Sequence, residues 1–219
     1  YTISFFSNYT PKKSKEDIDA GIYEEFIKNG EYNNYLTSDW EYGMPSQYAV
    51  LDIDGNGVDE LIIYGNENEW GSLEIFTADL NSGQISLIQG VDYSSGENPV
   101  RVNSISAYCG FKYSEKYHAI VYRELNNGAE YDFISYDTIQ NGVLDSAFVI
   151  GFETNYDIGE KEYYWYNQNS AQKNISEAEF KEYVSEYADI DWKELPNTQN
   201  TQSKIEQGQG QNQANVSAT

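Results

Sequence analysis

The chain has 219 residues, 36 of them Asp or Glu against 13 Lys or Arg, for a formal net charge of −23. Such an acid excess repels nucleic acid and anionic membrane surfaces, and no apolar run approaches the roughly 18 residues of a membrane span. A lone Cys109 rules out an internal disulfide, and one Cys with one histidine, His118, cannot build a zinc cluster.

Residues 1–13 carry Ile3, Phe5 and Phe6 and read as a short strand or an anchoring arm. With Tyr1 rather than Met at its start, the chain reads as a mature or excised fragment. Ser14-Lys-Glu-Asp17 has capping-box-like spacing. The spacing of Ile18, Ile22, Tyr23 and Phe26 predicts a helix to about Lys28, stopped by Asn29-Gly30. Tyr32, Tyr35, Leu36 and Trp40 predict a second short helix before the break at Gly43–Pro45.

The most informative stretch follows. Asp52, Asp54, Asn56 and Glu60 set oxygen-bearing side chains at loop positions one, three, five and nine, with the carbonyl of Val58 available at position seven. Gly57 stands at position six, where the chain must turn sharply with positive φ, and Gly55 eases the bend. Apolar, β-prone segments flank the loop. Hard cations take six to eight oxygens from such side chains and carbonyls, so the pattern predicts a Ca2+ site. Position twelve is Ile63, where an EF-hand needs Glu, so the expectation is strand–loop–strand rather than helix–loop–helix.

The run from Asp52 to Ile63 resembles the Asp-x-Asp-x-Asp-Gly-x-x-Asp/Glu loop of integrin-type propeller repeats and of many bacterial surface repeats. Its frame is Ile22–Lys28 before the loop and Ile175–Tyr183 at the end. That frame is similar to a group of secreted or lipid-anchored surface proteins of Gram-positive bacteria. A propeller repeats the loop once per blade, and here one copy is present, so the propeller fold is not carried over. The resemblance implies an extracellular or cell-surface location and a bound Ca2+.

Beyond the loop the pattern is a meander. Leu73–Leu80 and Gln84–Gln89 flank Asn81-Ser-Gly83, and Val100–Cys109 follows a loop. Tyr117–Leu125 and Ala129–Ile139 flank Asn126-Asn-Gly128; Val143–Phe152 follows Asn141-Gly142. Asn-Gly between alternating runs is a strong hairpin signal. Lys161–Tyr166 makes a last aromatic strand. Ser176-Glu-Ala-Glu179 is a capping box opening a helix to about Tyr187, with Phe180, Tyr183 and Val184 inward. These signals predict an α+β domain over residues 1–196: one curved antiparallel sheet of about seven to nine strands, helices at both ends. Residues 197–219, poor in large apolar side chains, read as a flexible linker or tail.

Aromatic residues make up 16% of the chain; with so few Leu and Val, Tyr and Phe must fill much of the core, while Tyr and Trp also suit faces that bind sugars or proteins. Trp70 and the run Tyr163, Tyr164, Trp165, Tyr166 are the candidate ligand face. The expected function is a non-catalytic, Ca2+-stabilised surface domain that binds glycan or extracellular protein. The alternatives are a hydrolase working through two carboxylates and a passive stalk or filament subunit. Cys109 is expected as a buried thiol without a catalytic partner.

Overall fold

The computed structural model describes residues 21–35, 44–67, 70–90, 100–101, 105–106, 110–125, 131–155, 157–167 and 169–196. The arm over residues 1–13, the start of the first helix, Trp40, Cys109, the Asn126-Asn-Gly128 turn and the tail lie outside them. The chain opens with α1 (Glu24–Lys28) and a 3-10 turn, Glu31–Asn34, hinged on Gly30 at φ 66°. The first strands are β1 (Gln47–Leu51), β2 (Glu60–Glu67), β3 (Trp70–Ala78), β4 (Ile85–Leu87) and β5 (Gln89–Gly90). Then come β6 (Val100–Arg101), β7 (Ile105–Ser106), β8 (Phe111–Ser114), β9 (Ala119–Leu125), β10 (Tyr131–Gln140) and β11 (Val143–Asn155). The chain closes with β12 (Glu160–Asn167), β13 (Ser170–Asn174), α2 (Glu177–Val184), β14 (Ala188–Asp189) and β15 (Lys193–Glu194).

The α+β class with antiparallel strands and a C-terminal helix holds, but the strands divide into two sheets rather than one. The first runs in the order β15-β1-β2-β3-β4, with β7 on β3; the second runs β13-β12-β11-β10-β9-β8-β14. The short β5 pairs with β11, in parallel, and with β6. The reason lies in the uninterrupted apolar run of β2. Leu61 and Ile63 point to one side, where they pack with Tyr23, Phe26 and Tyr32 of the N-terminal helices. Ile62 and Tyr64 point to the other and pack with Ile120, Leu144 and Phe111 of the second sheet. All four are buried. A strand apolar on both faces needs cover on both. A single sheet backed only by terminal helices leaves one of those faces wet.

The second sheet repeats the arrangement. Ile120 joins the layer between the sheets, while Ala119 and Val121 turn outward under α2 with Ile134, Tyr136, Phe148 and Phe180. The order is therefore helix, sheet, sheet, helix. Tyrosine serves as core material here: Tyr136 is fully buried, stacks on Phe148 at 4.5 Å and donates its hydroxyl to the Tyr183 carbonyl at 2.7 Å. Burial raises its pKa well above that of a free phenol.

Local signals hold where they were strongest. Asn141 and Gly142 take φ 54° and 80°, closing the β10–β11 hairpin as a type I′ turn requires. Ser176 Oγ accepts from the Glu179 amide, and the Glu179 carboxylate accepts from the Ser176 amide, completing the predicted capping box. The expected last strand is followed by another, β13, whose Ser-Ala-Gln-Lys-Asn sequence is exposed throughout and carries no apolar period.

Gly151 has a packing reason. A Cβ there would collide with the Asp132 carbonyl oxygen and with the Tyr164 hydroxyl, which lies across the strand. Gly151→Ala should destabilise the fold by about 1–3 kcal/mol, read from chemical denaturation.

Candidate metal centre

The predicted cation loop is the connection between β1 and β2, closed by the antiparallel pair Leu51–Glu60. Its curl is written in side-chain to backbone hydrogen bonds. Asp52 Oδ1 and Oδ2 accept from the amides of Gly55 and Gly57, at 2.8 and 3.0 Å. Asp54 Oδ1 accepts from the Asn56 amide at 2.9 Å, and Asn56 Oδ1 from the Val58 amide at 2.6 Å. Gly55 and Gly57 take φ 72° and 82°, conformations that are cheap only for glycine.

These turns bring Asp52, Asp54 and Glu60 together, with one carboxylate oxygen of each within 4.8 Å of the others. Oxygens on opposite sides of a cation bound at about 2.4 Å are separated by about that much. The donor set is all oxygen, which suits a hard ion. Asn56 is exposed; its Nδ2 donates to Asp54 Oδ2 at 2.7 Å. Val58 is half-buried at the loop's end.

Glu60 is the anchor. It is 1% exposed, its Oε2 accepts from the Ile53 amide at 3.0 Å, and Thr77 lies 3.4 Å from Oε1. Burial pushes its pKa up to about 8, and the Asp54 and Asp52 charges push the same way. Among the described residues no Lys or Arg forms an ion pair with the three carboxylates. His118 Nδ1, 3.7 Å from Asp52 Oδ2, is the one basic group at that range.

Sequence reasoning missed what holds the loop in place. Ile53 is fully buried in the layer between the sheets. Its carbonyl accepts from Thr138 Oγ1 at 2.6 Å and from the Ile139 amide at 3.1 Å, both on β10 of the other sheet. The Asp52 carbonyl accepts from the Tyr113 hydroxyl at 2.7 Å, with His118 Nδ1 at 3.2 Å. His118 sits in the β8–β9 turn at φ 47°, its ring against Gly55. The loop is thus bolted to the second sheet by groups 61 to 86 residues away along the chain, a distance at which no local pattern carries a signal.

The candidate aromatic face is not one surface. Along β12 the side chains alternate: Tyr163 and Trp165 pack under α2 with Phe152, Phe148 and Phe180, while Tyr164 and Tyr166 stack on each other on the opposite side. Trp70 begins β3, opposite Glu67 and Ser106, rather than lying in a loop. Comparison with protein-family models, curated proteins and solved structures finds no match.

The Glu60 shift has a consequence for metal-free protein. Between about pH 4.5 and 8 the folded state keeps a proton that the unfolded state has released, so stability falls as pH rises through that window. In EDTA the melting temperature should be lower near pH 8 than near pH 5. Glu60→Gln should flatten that decline; an unchanged decline assigns it to other groups.

Proposed function

We propose that this chain is a non-catalytic extracellular surface domain that Ca2+ stabilises and that binds a glycan or a protein. The observation that carries the reading is the convergence of Asp52, Asp54 and Glu60 in a loop seated where the two sheets meet. Three carboxylates so close repel one another, and a divalent cation turns that repulsion into attraction. Asp52, Asp54 and Glu60 would hold the ion, with the Asn56 amide oxygen and the Val58 carbonyl as further oxygens. The acidic composition and the millimolar Ca2+ of extracellular fluids fit such a staple.

A carboxylate-dependent hydrolase is the second reading, because two acids have raised pKa. They are Glu60 and Asp137, the latter pushed up to about 6 by burial beside Ser135. Glu60 is turned into its own loop and closed from solvent, out of a substrate's reach, which favours the non-catalytic reading.

Millimolar Ca2+ should raise the melting temperature, by the equivalent of about 2.7 kcal/mol at a hundredfold excess over Kd, and EDTA should reverse it. Glu60→Gln should remove most of the shift. Identical melting in Ca2+ and in EDTA at neutral pH would end the staple proposal.

A further inference from the structure

Beside the loop, on the same seam, lies a groove of about 680 Å³. That is within the range of ligand sites. It runs between the end of β1, the β8–β9 turn and the segment from Ser185 to Asp191 that follows α2. Leu51, Tyr113, Tyr187 and the buried Ile190 line it, together with the acidic Glu115, Glu186, Asp189 and Asp191. Of the charged groups there, Glu186 pairs with Lys116 and Asp189 with Lys112. Those pairs neutralise both lysines near the groove. Glu115 and Asp191, both exposed, take part in no ion pair among the described residues.

Two half-buried tyrosine rings flanked by uncommitted carboxylates match one side-chain chemistry in particular. A lysine or arginine lays its aliphatic stem on the tyrosine rings, offers its cation to a ring face and reaches a carboxylate with its head. The net charge of −23 draws such cations in and repels anionic ligands. The shape favours a peptide over a sugar. One side of the groove is β14, the last strand of the second sheet and exposed at both residues, beside which an extended backbone can lie.

The geometry points to this groove as the docking site for an extended, lysine- or arginine-bearing segment of a partner protein. The inference rests on the reading of the domain as a binding module and names the class of its ligand. The groove shares a wall with the cation loop through Leu51 and Tyr113, whose hydroxyl holds the Asp52 carbonyl, so a stapled loop presents it in one fixed shape.

The test is fluorescence anisotropy of a labelled peptide of alternating Lys and Thr, with its lysine-acetylated twin, in millimolar Ca2+. The free-lysine peptide should bind and the acetylated one should not. The double variant Glu115→Gln, Asp191→Asn should weaken binding about fivefold, as the loss of two exposed ion pairs allows, with the melting temperature unchanged. The control Glu24→Gln, Glu25→Gln removes the same charge from exposed positions on α1 and should leave binding as it was. Equal weakening by both double variants assigns the effect to bulk charge and overturns the proposal, as does a neutral oligosaccharide competing for the groove. A Ca2+-dependent melting shift without peptide binding removes the groove and leaves the staple. Peptide binding without that shift removes the staple and leaves the groove.

Discussion

Within the apolar layer that joins the two sheets, Ile53 ties the acidic loop to both of them. Its side chain fills the layer between the sheets, its amide donates to the buried Glu60 carboxylate, and its carbonyl accepts from Thr138 and Ile139 of the second sheet. Every polar group of that peptide is satisfied inside the protein, as burial requires. The acidic loop therefore does not hang from the edge of a sheet as an ordinary hairpin turn does. Its first carboxylate is fixed by Tyr113 and His118 at the neighbouring carbonyl, and its last is fixed by the backbone of Ile53 itself.

That placement explains why an ion in the loop would matter to the whole fold. A cation drawing together Asp52, Asp54 and Glu60 would brace the link between β1 and β2, which Ile53 and Asp52 already tie to β8 and β10. In metal-free protein, burial, helped by the charges of Asp54 and Asp52, pushes the Glu60 pKa up to about 8. A cation held by the three carboxylates, as proposed, would compete with that proton for the same oxygens.

The aromatic richness has a more ordinary cause than a broad binding face. Phe148, Tyr136, Tyr117 and Tyr183 form a connected set of ring contacts beneath α2. Phe26, Tyr35 and Phe76 do the same beneath the N-terminal helices. Large flat side chains fill wide layers with few residues, and the tyrosine hydroxyls reach backbone carbonyls at the margins. Among the described residues, the groove proposed for a ligand draws on two tyrosine rings at the seam rather than on the run of aromatics on β12.

The chain alone determined whatever is encoded within a few residues: the curled acidic loop Asp52–Glu60 with its glycines, the Asn141-Gly142 hairpin and the Ser176 capping box. It also determined the antiparallel, strand-rich class, because alternating runs between turn residues have one regular solution. It left undecided what covers the second face of the apolar run Leu61–Tyr64. Only the tertiary structure decided that a second sheet covers it. The same step placed Tyr113, His118 and Thr138 on the loop and parted Tyr163 from Tyr164. The physical reason is range: turns and caps close over three or four residues by hydrogen bonds to the nearest backbone. The contacts of Ile53 and Asp52 join segments that meet only once two apolar faces have excluded the water between them.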